Sequence, residues 1–258
     1  LHDLIYQHLE RISSNIHYAI VQDNNHGTSE AAALFIGGNW LARNESNAQK
    51  ILDSRLRRDD RERGNGRSNR KSSRKRYDHF ASQGRKWLEN RVQKLVEKDG
   101  SFSQHSVTYH RVLLDTLIFA EHWRQRLGAA PFSATFYRRA KAVLDWMISL
   151  TDTTTGKAPN LGANDGAILL HAHACDYRDF RPTIQTASVL FHGRKQYVNG
   201  LWDEPGFWLG LQGEAAGAVD PEKNSKVLPG GYVVMAGKNS WAVLRFPMYR
   251  FRPGHNDV

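Results

Sequence analysis

The chain has 258 residues, 40% of them apolar, a formal net charge of +10 and a single cysteine, Cys175. Such a length and apolar share suit one large core or a core with a smaller second unit, and they exclude a globally disordered chain. One cysteine excludes an intrachain disulfide framework, and no stretch is long and apolar enough to span a membrane.

Residues 3–20 carry Leu4, Ile5, Leu9, Ile12 and Ile16 at helical spacing. Residues 28–41, "TSEAAALFIGGNWL", predict a second helix, with Gly37 and Gly38 marking its packing or its end. Residues 55–76 hold eleven Lys/Arg against three Asp/Glu, which is most of the net charge of the chain. With almost no apolar residues, this tract is expected to be a mobile loop or insertion, either a solvated loop or a grip on a polyanion. Tyr77 and Phe80 alone do not make an aromatic-interleaved nucleic-acid surface, so no nucleic-acid partner is expected. Next, "GRKWLENRVQKLVEKDG" is amphipathic, with Trp87, Leu88, Val92, Leu95 and Val96 on one face and Asp99-Gly100 as its stop.

A helix is expected over 106–127, ended by Gly128, and another over 134–150, capped by Ser133 with Phe136, Ala140, Val143, Leu144 and Met147 inward. The stretch 151–166 is a long polar loop. Pro182 suits the first turn of a helix over 182–192, and Pro205 opens a shorter one. After about residue 225, "GGYVVMAG" and "SWAVLRF" read as an antiparallel hairpin. The expected architecture is therefore mainly α: paired antiparallel helices over 1–220, then the beginning of a β domain over 225–258. The chain starts at Leu1 without a methionine and stops at "GHNDV", so it reads as cut at both ends, and the lack of a signal peptide does not identify its compartment.

Four stretches could carry chemistry. In "DNNHGTSE", 23–30, a helix beginning near Gly27 or Thr28 would put Asn25 and His26 at its N-terminus, where partial positive charge and side-chain donors suit a carboxylate. The competing reading is that Asn24 and Asn25 only make a turn and cap the helix. In "DGSFSQHSVTYHRVLLD", 99–115, Tyr109 shares a face with Val112, Leu113, Thr116 and Leu117 and points inward, as an ordinary core tyrosine would. His105, His110 and Arg111 make its surroundings unusually polar. In "PNLGANDGAILLHAHACDYRDFRP", 159–182, Asn160, Asn164 and Asp165 sit in a glycine-punctuated loop. His171 and His173, two apart, lack the further ligands of a metal site, and Asp176, Tyr177, Asp179 and Arg181 read as a structural cluster of ion pairs and hydrogen bonds. In "RFRPGHNDV", 250–258, His255 is either a loop residue or projects over a cleft. No phosphate-binding loop, GxGxxG, GxSxG or CxxC occurs, so nothing indicates a nucleotide cofactor.

Together, "NNHGTSEAAALFIGG", "GRKWLE…DGSFSQHSVTYHRVLLD", "PNLGANDGA…CDYRDFRP" and "GGYVVMAGKNSWAVLRF…GHNDV" resemble, in order, the heparinase II/III-like polysaccharide lyases and their alginate-cleaving relatives. The resemblance covers most of the chain except 45–80. It implies an incomplete α/α toroid of helical hairpins followed by the start of an antiparallel β-sandwich, with a catalytic cleft between them. It implies β-elimination of a linkage next to a uronic acid in an anionic polysaccharide, without cofactor or metal, by a bacterial periplasmic or exported enzyme. Asn25 and His26 would neutralise the carboxylate, Tyr109 would transfer the proton, and His255 would be a base or substrate binder. Asn24, His105, His110, Arg111, Asn160 and Asp165 would line the substrate. The tract 55–76 departs from the pattern, as does the missing remainder of the sandwich. Two other classes compete. A glycoside hydrolase would need paired carboxylates, here Asp165 with Asp176 or Asp179. A non-catalytic polyanion binder would use the basic tract.

Overall fold

The computed structural model describes the backbone of residues 1–56, 66–214, 225–237 and 240–246, with side chains outside 46–72. It is mainly helical, with a small antiparallel sheet at the C-terminal end. In order come α1 (His2–Val21), α2 (Asn25–Leu56), α3 (Gly66–Leu95), α4 (Val107–Arg126), α5 (Ala134–Leu150) and α6 (Arg181–His192). A short 3-10 turn, Leu201–Asp203, leads into α7 (Glu204–Trp208). The strands are β1 (Lys226–Leu228), β2 (Tyr232–Ala236) and β3 (Trp241–Arg245).

The first three helices pack side by side, α1 on α2 and α2 on α3. On α1, Leu9 and Ile16 are buried as their spacing predicts, whereas Leu4 faces solvent. Gly37 and Gly38 do not end α2. They let it approach its neighbours: a Cβ on Gly38 would lie 2.5 Å from Ala81 N and 2.8 Å from Tyr77 O of α3. From the other side, a Cβ on Gly84 would collide with the α2 backbone at Phe35.

Residues 66–76, expected in a mobile loop, form the first turns of α3. Arginine and lysine are good helix formers, and two of the arginines are tethered. Arg74 pairs with Asp78 one turn on at 3.2 Å and donates to Ala42 O at 3.0 Å, and Arg76 meets Glu10 of α1 at 2.7 Å. Residues 57–65 of the tract lie outside the described residues.

Helix α4 is the centre of the molecule and packs against α2, α5 and α6. Leu113, Leu117 and Ile118 join Leu88 and Val92 of α3, Phe136, Leu144 and Met147 of α5, and Ile184 and Ala187 of α6 in one core. Ser106 caps α4 by accepting from Tyr109 N at 3.1 Å, and Ser133 caps α5 by accepting from Phe136 N at 3.2 Å. Each cap satisfies one orphan N–H of a first turn. Pro182 sits in the first turn of α6, and Gly193 ends that helix at φ +74°, the left-handed region open to glycine.

Between α5 and α6, residues 151–180 have no regular structure but are tied down from α4. The buried Asp115 carboxylate accepts from Leu169 N and Leu170 N, both at 3.2 Å, and from Thr183 Oγ1 at 2.9 Å. The loop is closed by an Asp179–Arg181 pair at 2.7 Å, with the Arg181 guanidinium stacked over Trp202, as the sequence suggested for that cluster.

The strands pair in the order β1-β2-β3, all antiparallel, with Tyr232 opposite Arg245 and Val234 opposite Val243. The expected hairpin is β2–β3, and β1 adds a third strand to it. Leu228, Tyr232 and Val234 close onto the helical core, and the Tyr232 ring meets Trp146 edge-on at 5.1 Å. Asp99, expected to stop a helix, also receives Gly230 N at 2.7 Å and so holds the β1–β2 turn. No described helix is long and apolar enough to cross a membrane.

Candidate functional site

The α1–α2 turn is built from its charged and amide side chains. Asp23 takes a left-handed conformation, φ +51°, and its carboxylate is gripped by Arg91 at 2.7 Å and Lys94 at 2.9 Å of α3. Helix α2 then begins at Asn25, two or three residues earlier than its sequence suggests. Asn24 accepts from His26 N at 3.0 Å, and Gln104, from just before α4, accepts from Asn25 N at 2.9 Å. Asn24 is therefore a cap, as the plainer of the two sequence readings had it. The first two N–H groups of α2 are engaged by the protein itself, and an incoming carboxylate would meet side chains instead. Neither the half-buried Asn25 carboxamide nor the exposed His26 imidazole has a hydrogen-bond partner among the described residues.

Gln104 ties this turn to the segment that leads into α4. On the first turn of α4, Tyr109 is 6% exposed and lies against Val112 and Ala163. The Tyr109 hydroxyl donates to Asp165 Oδ2 at 2.6 Å, and Asp165 Oδ1 accepts from Ala167 N at 3.1 Å. Burial, followed by the bond to Asp165 and its negative charge, pushes the phenol up to about 12. The loop presenting Asp165 is docked on the N-terminus of α4: Ser106 Oγ donates to Ala163 O at 2.6 Å and Val107 N to Leu161 O at 3.0 Å. Gly162 makes this possible, because at φ +72° a Cβ there would lie 2.6 Å from His105 O. Asn160 is exposed and accepts from Asn164 Nδ2 at 2.7 Å, and Asn164 in turn accepts from the Tyr177 hydroxyl at 2.6 Å.

His105 also stands in the left-handed region, φ +53°. Its carbonyl accepts from Arg245 of β3 at 2.9 Å, and its Nδ1 lies 3.4 Å from the Tyr232 hydroxyl. Burial, then the nearby Arg245 cation, push it down to about 4. It lines a cleft of about 620 Å³ between the 97–103 turn, Arg139 of α5 and the β1–β2 turn.

Two expected substrate contacts are spent on the protein. His110, 1% exposed, stacks on Trp146 at 4.0 Å with its Nε2 2.9 Å from Val143 O, and burial pushes it down to about 4. Arg111 donates to Tyr177 O at 2.6 Å and to Ala167 O at 3.3 Å, between the Tyr177 and Phe180 rings. Both hold the scaffold beneath the loop instead of facing a ligand. His255 lies outside the described residues. The His171 and His173 rings are 5.3 Å apart, and no group of three metal-ligating side chains occurs among the described residues.

Sequence reasoning missed Gln104. Its carboxamide joins α2 to α4 across 79 residues, and its Nε2 is buried without a partner among the described residues. It lies inside a stretch singled out for its histidines and tyrosine, but nothing local marks the long-range bond. No family model, no curated protein and no solved structure matches the chain.

Proposed function

We propose that the protein is a polysaccharide lyase that cleaves a uronate-containing chain by β-elimination. The observation that carries this is that Gln104 bonds the start of α2, where the Asn25 and His26 side chains have no hydrogen-bond partner among the described residues, to the segment entering α4, whose first turn carries a buried tyrosine with its hydroxyl at a polar loop. Elimination needs the C5 proton of a uronate to become removable, and the adjacent carboxylate opposes this by its charge. Fixed donors on that carboxylate stabilise the enolate-like transition state. Asn25 and His26 take this role. The electron pair of the C5–H bond becomes the C4–C5 double bond, the C4–O bond breaks, and the leaving oxygen receives a proton from Tyr109. The C5 proton passes to a base, either Tyr109 itself or a second group such as His255. The cleft of about 620 Å³ lined by His105 is large enough for a sugar residue, although Asn25, His26 and Tyr109 do not line it.

A hydrolase is less well supported, because its candidate carboxylates are engaged. Asp165 accepts from Tyr109, Asp179 pairs with Arg181, and Asp176 accepts from Arg178 N at 2.8 Å. In the lyase reading, consecutive helices belong to an α/α toroid and the three strands begin an antiparallel sandwich.

The test is to incubate the protein with a panel of uronate polysaccharides and follow the ultraviolet absorbance of the unsaturated product. A rise is expected with at least one, lowered by roughly two orders of magnitude or more in Tyr109→Phe and in His26→Ala. New reducing ends without that absorbance would replace elimination by hydrolysis.

A further inference from the structure

We infer that Asp165 is the positioning residue for Tyr109: its carboxylate takes the phenol's hydrogen bond, fixes the hydroxyl at the mouth of the loop and keeps it proton-bearing. The assignment rests on the lyase reading above and decides which of two roles Tyr109 holds in the resting site.

The geometry is built on both sides of the bond. Asp165 is exposed, but its carboxylate is engaged at both oxygens: Oδ1 accepts from Ala167 N at 3.1 Å and Oδ2 from the Tyr109 hydroxyl at 2.6 Å. The loop carrying it is pinned to the first turn of α4 by Ser106 and Val107, the turn that also carries Tyr109. The ring itself is fixed by Val112 and Ala163, with Ala167 at its edge. Phenol and carboxylate are thus held by one rigid unit.

Charge gives the bond its consequence. A tyrosinate here would face a carboxylate across a hydrogen-bond distance, and two like charges so close strongly disfavour ionisation. Among the described residues, the charged or titratable side chains next to Tyr109 along the chain have partners of their own. Arg111 reaches the Tyr177 and Ala167 carbonyls, His110 the Val143 carbonyl, and His105 the Tyr232 hydroxyl with Arg245 beside it. Tyr109 is therefore protonated in the resting site and is not the base at C5; its proton can pass only to a stronger base, which the leaving alkoxide is, and proton abstraction at C5 belongs to a different group. The leaving oxygen competes with Asp165 for a hydrogen already aimed at the loop mouth, which is the preorganisation an acid needs.

The test reads Tyr109 directly. Protein labelled with carbon-13 at tyrosine Cζ is titrated by nuclear magnetic resonance from neutral pH to the alkaline limit of folding, and the Tyr109 signal is assigned by its loss in Tyr109→Phe. In the native protein that carbon is expected to remain a phenol throughout. In Asp165→Asn, which keeps the shape and an acceptor but not the charge, it should ionise at least about one pH unit lower. An unchanged titration in Asp165→Asn would overturn the assignment. Because this readout needs no substrate, it stands even if no polysaccharide is cleaved. If cleavage is seen, the alkaline limb of kcat should move to lower pH in Asp165→Asn while KM changes less, and a KM effect alone would make Asp165 a substrate contact instead. Asp165→Ala, lacking any acceptor, checks that loss of charge and not loss of the loop is responsible, because both variants should shift in the same direction.

Discussion

Asp115 shows how much a single side chain can hold in this protein. It is fully buried on α4, and burial pushes its carboxyl up to about 6 despite the donors around it. Removing the acceptor orphans the N–H groups of Leu169 and Leu170 and the Thr183 hydroxyl. Asp115→Ala is expected to cost about 2–4 kcal/mol, read by chemical denaturation. Asp115→Asn keeps one acceptor for the two N–H groups, can donate to Thr183 and sheds a buried charge, so it should stay within about 1 kcal/mol of the native protein at neutral pH. Equal losses in both would mean that the charge itself holds the loop. Neither this residue nor Gln104 stood out in the sequence, since an aspartate inside a helix or a glutamine in the turn before one looks like any surface polar residue until its long-range partners are known. Tyr109 was legible as an inward residue from its spacing with Val112 and Leu113, but its bond to Asp165, 56 positions on, was not.

At the scale of elements, local signals were most reliable where they satisfy orphan backbone groups. Ser133 and Pro182 sit where the sequence puts them, Gly128 follows the end of α4, and the inward faces of α3, α4 and α5 match their apolar spacing. The failures came from composition. The end of the basic tract looked unable to fold because it lacks apolar residues, yet residues 66–76 are helical, continuing a helix whose later turns are well packed. The start of α2 was misplaced because its caps come partly from Gln104. The α2–α3 contact depends on Gly38 and Gly84, where backbone meets backbone. Gly84→Ala is expected to lower stability by roughly 1–3 kcal/mol through overpacking, despite alanine's better helix propensity. A stabilised Gly84→Ala protein, judged by its denaturation midpoint, would show that the two helices can separate without cost.

For the whole molecule, acid is expected to loosen the fold. His110 and His105 are both pushed down to about 4 from an ordinary value of 6.5, so between those limits the unfolded chain binds more protons. Their contribution is fully present above about 6.5 and is lost as pH falls towards 4. Asp115 acts in the opposite sense between its ordinary 3.8 and about 6, because there the folded state binds the extra proton. With two histidines against one carboxyl, the thermal midpoint should be lower at pH 5 than at pH 7, and the drop should steepen in Asp115→Asn and flatten in His110→Phe. A midpoint that rises on acidification would show that other groups govern.

The sheet joins this body through Tyr232, Gly230 and Arg245, near His105 and at the same end of α4 as Tyr109, so fold and proposed chemistry meet in one region. The account stands most directly on how the glycosidic bond is broken. The measurement is product analysis of a cleaved uronate oligosaccharide in oxygen-18-labelled water. Elimination predicts one fragment with an unsaturated uronate at its new end and no heavy oxygen introduced at the broken bond. A saturated pair of fragments carrying the label at the cleavage point would contradict it.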